Sequence, residues 1–197
     1  LICFFLGNDF MPHFPALNIR TNGINILMSA YENTIVKKKT NLTDGKKIFW
    51  NEIRELLEFI SKSEEEYIRE EYKLRGRLEK RMLPTSTVKD KFNKFQSIPT
   101  KKREIEYLID INNVGWEKRY YKYLFDIEPT KEWIQRICIN YLEGLEWTMN
   151  YYTEECLDWK WFYHYKYPPL LKDLIKYIPY WETSFFDKKN KKSVHPN

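Results

Sequence analysis

Two stretches of this 197-residue chain carry side chains whose types and spacing can do chemistry. The first is Leu6-Gly7-Asn8-Asp9-Phe10-Met11-Pro12-His13-Phe14-Pro15. A carboxylate that directly follows a Gly-Asn turn, at the end of an apolar segment, can be held rigidly at a cavity edge. Ligation of Mg²⁺ needs this, because the ion takes hard oxygens in a near-octahedral array. Taken alone, Gly-Asn-Asp is more often a helix stop and turn, and His13 between two prolines is more often a structural or surface histidine. The second stretch runs from Tyr141 to Pro169 and includes Trp147, Tyr151, Tyr152, Trp159, Trp161, Phe162, Tyr163, Tyr165 and Tyr167. Rings at this density can build a core. Here they alternate with Lys160, His164 and Lys166, a mixture suited to single-stranded nucleic acid, where bases stack on rings and phosphates pair with cations. Burying such cations unpaired is costly.

A third stretch, Lys73–Arg103, carries Lys73, Arg75, Arg77, Lys80, Arg81, Lys89, Lys91, Lys94, Lys101, Lys102 and Arg103 against few acids. It reads either as a solvated linker or as a patch that tracks phosphates. The 33 Lys plus Arg against 28 Asp plus Glu leave a net charge of +5, which permits a nucleic-acid partner without requiring one. Three cysteines with no CxxC spacing, Cys3, Cys138 and Cys156, fit neither a disulfide framework nor a four-cysteine zinc site, and point to a reducing compartment. GxSxG, P-loop, HExxH and Rossmann signatures are missing from the sequence, which removes those chemistries. No apolar run approaches the roughly 20 residues of a membrane span. The chain opens inside an apolar run (LICFFLG) without a basic leader and closes on SVHPN. It is therefore read as lacking a secretory signal and as cut from a longer protein at both ends.

The elements that must position these groups are helical: glycine is scarce and apolar residues recur at three- and four-residue steps. From Gly23 to Val36, Ile24, Leu27, Met28, Tyr31 and Ile35 are expected on one face. Thr43-Asp44-Gly45 marks a turn. Ile53, Leu56, Leu57, Ile60, Tyr67 and Ile68 give helix from Phe49 to about Lys73, solvated or broken past Ser61. Pro84 and Pro99 leave Lys73–Arg103 as a mobile basic connection with a weak helix inside it. A helix over Trp116–Phe125 precedes a longer one from Pro129 to about Glu154, with Pro129 in its first turn. Its stripe is Trp133, Ile137, Tyr141, Leu145, Thr148 and Tyr152, with Gly144 permitting close packing. Pro168-Pro169 begins a short helix through Tyr177.

Together, the first two stretches resemble the XRN family of 5′→3′ exoribonucleases, in the part that follows the catalytic core. The family pattern LGNDF, a large apolar residue, Pro-His and a second Pro stands here as Leu6 to Pro15. The family's Gly-Leu-x-Trp helix, Tyr-Tyr pair, Cys, Trp-x-Trp-aromatic-Tyr run and Asp-containing helix also match in order. They correspond to Gly144-Leu145-Glu146-Trp147, Tyr151-Tyr152, Cys156, Trp159-Lys160-Trp161-Phe162-Tyr163 and Asp173. The family's Pro-Tyr-His-Tyr-Ala-Pro is replaced by His164-Tyr165-Lys166-Tyr167-Pro168-Pro169, and its serines by Asp158 and Lys172.

The resemblance implies a mainly α, irregular multi-helix domain of an XRN-type nuclease, truncated at both ends. Residues 1–20 would form the C-terminal edge of the nuclease core, 21–72 a helical region, 73–103 the basic flexible connection and 104–197 an aromatic-rich helical region. It implies metal-dependent hydrolysis of 5′-monophosphorylated single-stranded RNA. Asp9 would be the catalytic metal ligand in a two-metal Mg²⁺ or Mn²⁺ site completed by the N-terminal nuclease core of the same polypeptide. Trp147, Trp159, Trp161, Lys160, His164 and Lys166 would line the RNA entry. The 197 residues alone are expected to be inactive, and the protein to be intracellular, cytoplasmic rather than nuclear. Two other readings stay open. One is a non-catalytic helical RNA-binding or scaffold module; the other is a flap-endonuclease-like DNase, which the Pro12-His13-Phe14-Pro15 continuation disfavours.

Overall fold

The computed structural model describes residues 1–98, 103–156, 158–181 and 183–185. The ordered elements are helices; among the described residues the only bridge between extended segments is the isolated antiparallel pair Thr43 and Ile48, which closes the expected turn. The expected mainly α class is what the structure shows. The chain divides into two compact units, Leu1–Glu64 with Pro129–Asn197, and Glu65–Glu128.

The first unit opens with a 3-10 turn, Ile2–Leu6. Helix α1, Gly23–Tyr31, continues through the π-helical stretch Glu32–Val36. Its buried face is Gly23, Leu27, Ala30, Thr34 and Ile35, whereas the expected Ile24 and Met28 are exposed. Size decided the face: the small residues Gly23 and Ala30 lie innermost, and the π stretch, with more residues per turn, brings Ile35 inward. Helix α2, Trp50–Ser61, buries Ile53, Leu56, Leu57 and Ile60 as the periodicity required. Lys62 and Ser63 separate it from α3, Glu64–Lys80. Arg54 of α2 is buried because its Nη1 donates to the Ile175 carbonyl at 2.7 Å and its guanidinium lies 3.9 Å from the Tyr180 ring centroid.

In the second unit, helix extends past Lys73 to the end of α3, and α4, Val88–Gln96, is the helix expected inside the basic stretch. Helices α5, Glu104–Ile109, and α6, Trp116–Phe125, pack together. Cations of this stretch are used internally, among them Lys73, whose Nζ lies 2.7 Å from Glu70 Oε1. Arg103 lies 2.5 Å from Glu106 and 3.3 Å from Glu79, and donates to the Tyr72 carbonyl at 2.9 Å. Arg75 lies 2.5 Å from Glu106. Pro99, Lys101 and Lys102 fall outside the described residues.

Helix α7, Lys131–Thr153, returns to the first unit. Its N-cap is Thr130, whose Oγ1 accepts from the Trp133 N–H at 3.3 Å, so Pro129 precedes the helix and does not enter its first turn. Ile137, Tyr141, Leu145 and Thr148 are buried; Trp133 and Tyr152, at its two ends, are exposed. Helix α8, Leu171–Leu174, extended by the 3-10 turn Ile175–Tyr177, starts after Leu170 and packs on α2 and α7.

Candidate metal-ligand turn and nucleic-acid interface

The Asp9 turn is built by its neighbours. Gly7 ends the 3-10 turn at φ +88°, and a Cβ there would lie 3.0 Å from the His13 nitrogen, so both the backbone angle and the space require glycine. The Asn8 Oδ1 accepts from the N–H groups of Phe10 at 2.8 Å and Met11 at 2.9 Å, while the Asn8 N–H donates to the Met11 carbonyl at 3.0 Å. That ring of bonds fixes the backbone on both sides of Asp9 and leaves its carboxyl exposed at the crest. His13 is exposed, its Nδ1 2.9 Å from the Phe14 carbonyl.

The turn is fastened to α7 at three points. The Phe10 ring meets Trp147 at 4.9 Å and Tyr151 at 5.0 Å, both edge-on. Met11 is buried against Gly144: a Cβ on Gly144 would fall 2.4 Å from the Met11 sulfur and 2.8 Å from the Trp161 ring. The Tyr141 hydroxyl donates to the Pro12 carbonyl at 3.0 Å. Gly144 thus does what its size promised, and it joins the two sequence motifs in one packed block. Burial pushes the Tyr141 phenol far above its ordinary range, so it stays a neutral donor.

The chain then leaves α7 and lays Trp161 on Trp147, with centroids 5.1 Å apart and nearly parallel. Trp147 also stacks on Tyr151 at 5.3 Å and donates from Nε1 to the Asp158 carbonyl at 3.1 Å. With only 4% of its surface exposed, Trp147 packs the cluster, and the expectation that a base could stack on it is revised. Trp161 is half-buried, whereas Trp159 is 49% exposed, with its ring edge-on to Tyr151 at 6.4 Å. From residue 160 to 167 the backbone is irregular and exposure alternates. Lys160, Phe162, His164 and Lys166 are exposed; Trp161, Tyr163, Tyr165 and Tyr167 are more buried. Two bonds hold the register: the His164 N–H donates to Asn140 Oδ1 at 3.0 Å, and the Tyr163 hydroxyl donates to the Tyr167 carbonyl at 2.8 Å. The exposed side chains of this segment are thus two cations, a phenyl and an imidazole, with the Phe162 ring edge-on to His164 at 4.9 Å.

Phe162 and the anchor Asn140 were missed as members of this surface. The two-residue alternation within DWKWFYHYKY was the available signal for Phe162; nothing local marked Asn140, which sits mid-helix in α7.

The residues suit a hard cation in one respect: Asp9 offers an exposed carboxylate on a braced turn. One carboxylate is not a site, and among the described residues no group of three or more His, Cys, Asp and Glu is placed to hold a metal ion.

Comparison with known proteins covers most of the chain. The family model described as the Xrn1 helical domain matches residues 1–105 and 84–193. A 5'-3' exoribonuclease 2 homolog of Drosophila melanogaster is 24% identical over 217 residues, covering 88% of this chain and 24% of the relative. The 5'-3' exoribonuclease 2 of Arabidopsis thaliana is 23% identical over 253 residues, covering 88% of this chain and 25% of the relative. That of Gallus gallus is 24% identical over 236 residues, covering 87% and 25%. The chain therefore spans about a quarter of the length of these relatives.

Proposed function

The chain belongs to the family of the Xrn1 helical domain, and on that premise we propose that it is the helical part of a hydrolase degrading single-stranded, 5′-monophosphorylated RNA from its 5′ end. The observation that carries this reading is the block formed by the Asp9 turn, α7 and Trp161, from whose segment Trp159, Lys160, Phe162, His164 and Lys166 are exposed. An exposed acid on a turn packed against the helix that leads into a segment of rings and cations suits phosphodiester cleavage at the end of a threaded strand.

In this reading Asp9 supplies one oxygen ligand, and the remaining acids come from the nuclease core of the same polypeptide, outside these residues. Bound Mg²⁺ or Mn²⁺ would activate water and stabilise charge on the phosphate. The chain's own residues do the rest. Asn8 holds the Asp9 backbone in register, and Phe10 and Met11 tie the turn to α7, so the carboxylate does not swing away as the strand advances. Trp159 and Phe162 offer exposed rings for unstacked bases, while the half-buried Trp161 fixes the segment by stacking on Trp147. Lys160 and Lys166 neutralise backbone phosphates, with the exposed His164 ring between them in sequence. Three free thiols, at Cys3, Cys138 and Cys156, suit a reducing compartment inside the cell, and the location proposed with this reading is the cytoplasm.

The test is digestion by the full-length protein of three end-labelled substrates: 5′-phosphorylated RNA, the same RNA with a 5′-hydroxyl, and flapped duplex DNA. Metal-dependent 5′-to-3′ loss of the phosphorylated RNA alone is expected. Cleavage of the flap in preference to RNA, or no cleavage of any substrate, overturns the reading.

A further inference from the structure

Two neighbouring buried residues in the middle of α7 hold the Asp9 turn and the segment 160–167. The Tyr141 hydroxyl donates to the carbonyl of Pro12, three residues past Asp9, at 3.0 Å. The Tyr141 ring also touches both motifs, with the Phe14 centroid 4.9 Å away and the Tyr163 centroid 5.4 Å away, the latter perpendicular. Asn140 Oδ1 accepts from the His164 N–H at 3.0 Å, and Asn140 Nδ2 donates to Glu143 Oε2 at 3.1 Å. Tyr163 completes the chain of contacts by donating to the Tyr167 carbonyl at 2.8 Å.

Packing alone does not call for these polar groups. Asn is a poor choice for a helix interior, and a buried hydroxyl or amide is costly unless it is bonded. What the two groups add is register. A hydrogen bond fixes donor and acceptor at about 3 Å with a preferred direction, whereas apolar contacts tolerate sliding. Both bonds end on the backbone of a segment that carries candidate functional side chains: Pro12 beside the Asp9 turn, and His164 between Lys160 and Lys166. Adjacent residues of a helix are about 1.5 Å apart along its axis and about 100° apart around it. One stiff element therefore references both segments.

We propose that Tyr141 and Asn140 are positioning residues for RNA hydrolysis, with separate duties. Tyr141, through the Pro12 carbonyl, holds the turn that carries the Asp9 carboxylate; Asn140, through the His164 N–H, sets the register in which residues 159–166 meet the strand. This assignment rests on the function proposed above and extends it to two buried side chains that act through others. The leverage is large, because a displacement of about 1 Å away from the chemistry can cost about a hundredfold in rate.

The test compares Tyr141→Phe and Asn140→Ala in the full-length protein, with Ile137→Val, a buried change on the same helix, as the control for general loosening of α7. Four quantities are read: Mn²⁺ affinity, affinity for a 5′-phosphorylated oligouridine in EDTA, and kcat and KM for its digestion. Tyr141→Phe is expected to bind Mn²⁺ more weakly and lose about tenfold or more in kcat, with RNA affinity and KM within about twofold of the parent. Asn140→Ala is expected to bind RNA about fivefold or more weakly and to raise KM, with Mn²⁺ affinity and kcat within about twofold. Ile137→Val should match the parent in all four. A parent protein that does not digest the RNA overturns the function on which the assignment rests. With an active parent, unchanged values in both variants, or the same pattern of change in both, overturns the assignment and leaves that function standing.

Discussion

Glu64, the first residue of α3, is a buried acid whose protonation should set the pH dependence of folding. Its Oε1 accepts from the Leu171 N–H at 2.6 Å and its Oε2 from the Lys172 N–H at 3.1 Å, so the carboxyl caps the short helix α8. Burial raises its pKa from the ordinary 4.5 to about 7, against the two N–H bonds and the Lys172 charge that pull it down; Asp173 adds a small upward push. The sign follows directly. Between these two values the unfolded chain is ionised while the folded chain keeps its proton, so stability is full below about pH 4.5 and falls as pH rises through about 7. At about 1.36 kcal/mol per pH unit, the interval corresponds to about 3 kcal/mol.

Replacing Glu64 with Gln separates ionisation from capping. The Gln amide puts an NH₂ where one oxygen accepted an N–H, which costs about 1–2 kcal/mol at any pH. Glu64→Gln should therefore be less stable than the parent by that amount at pH 5, and equal or more stable at pH 8. Urea titrations of the 197-residue chain, with the tryptophans as reporters, measure the difference. Parallel pH profiles for the two proteins would refute the buried, protonated carboxyl.

Gly144→Ala should lower stability by about 1–3 kcal/mol in thermal unfolding, because the new methyl meets the enclosed Met11 sulfur and the edge of the Trp161 ring. The tryptophans should split into two kinds. Trp147→Ala is expected to cost about 3–5 kcal/mol of stability. Trp159→Ala should leave stability nearly unchanged and weaken single-stranded RNA binding about fivefold to a hundredfold, the worth of one base stack, by anisotropy with a 5′-phosphorylated oligonucleotide.

What the sequence disclosed and what it withheld divide along physical lines. The long stripe of α7, the break after Ser61 and the small contact at Gly144 were legible because each is written in local spacing or residue size. The face of α1 was not: hydrophobic counting favoured Ile24 and Met28, while close packing selected Gly23 and Ala30, and the π stretch changed the register. Glu64 stood in a run with Glu65 and Glu66 that reads as solvated, and only the return of the chain at Leu171 encloses it. Trp147, Trp159 and Trp161 were equivalent rings in the sequence. Which one stays open is decided by residues 158–161 folding back over α7, a contact no periodicity encodes.

The most direct test of Asp9 as a metal ligand is Mn²⁺ binding and single-turnover RNA hydrolysis by the full-length protein and its Asp9→Asn variant, with melting temperature measured on the same samples. Because Asp9 is exposed and the turn is held by Asn8, Phe10 and Met11, the variant should melt with the parent. It should bind Mn²⁺ more weakly and hydrolyse about a thousandfold more slowly, the equivalent of roughly 4 kcal/mol at the transition state. Hydrolysis and Mn²⁺ affinity both equal to the parent's would contradict the assignment of Asp9 to the metal.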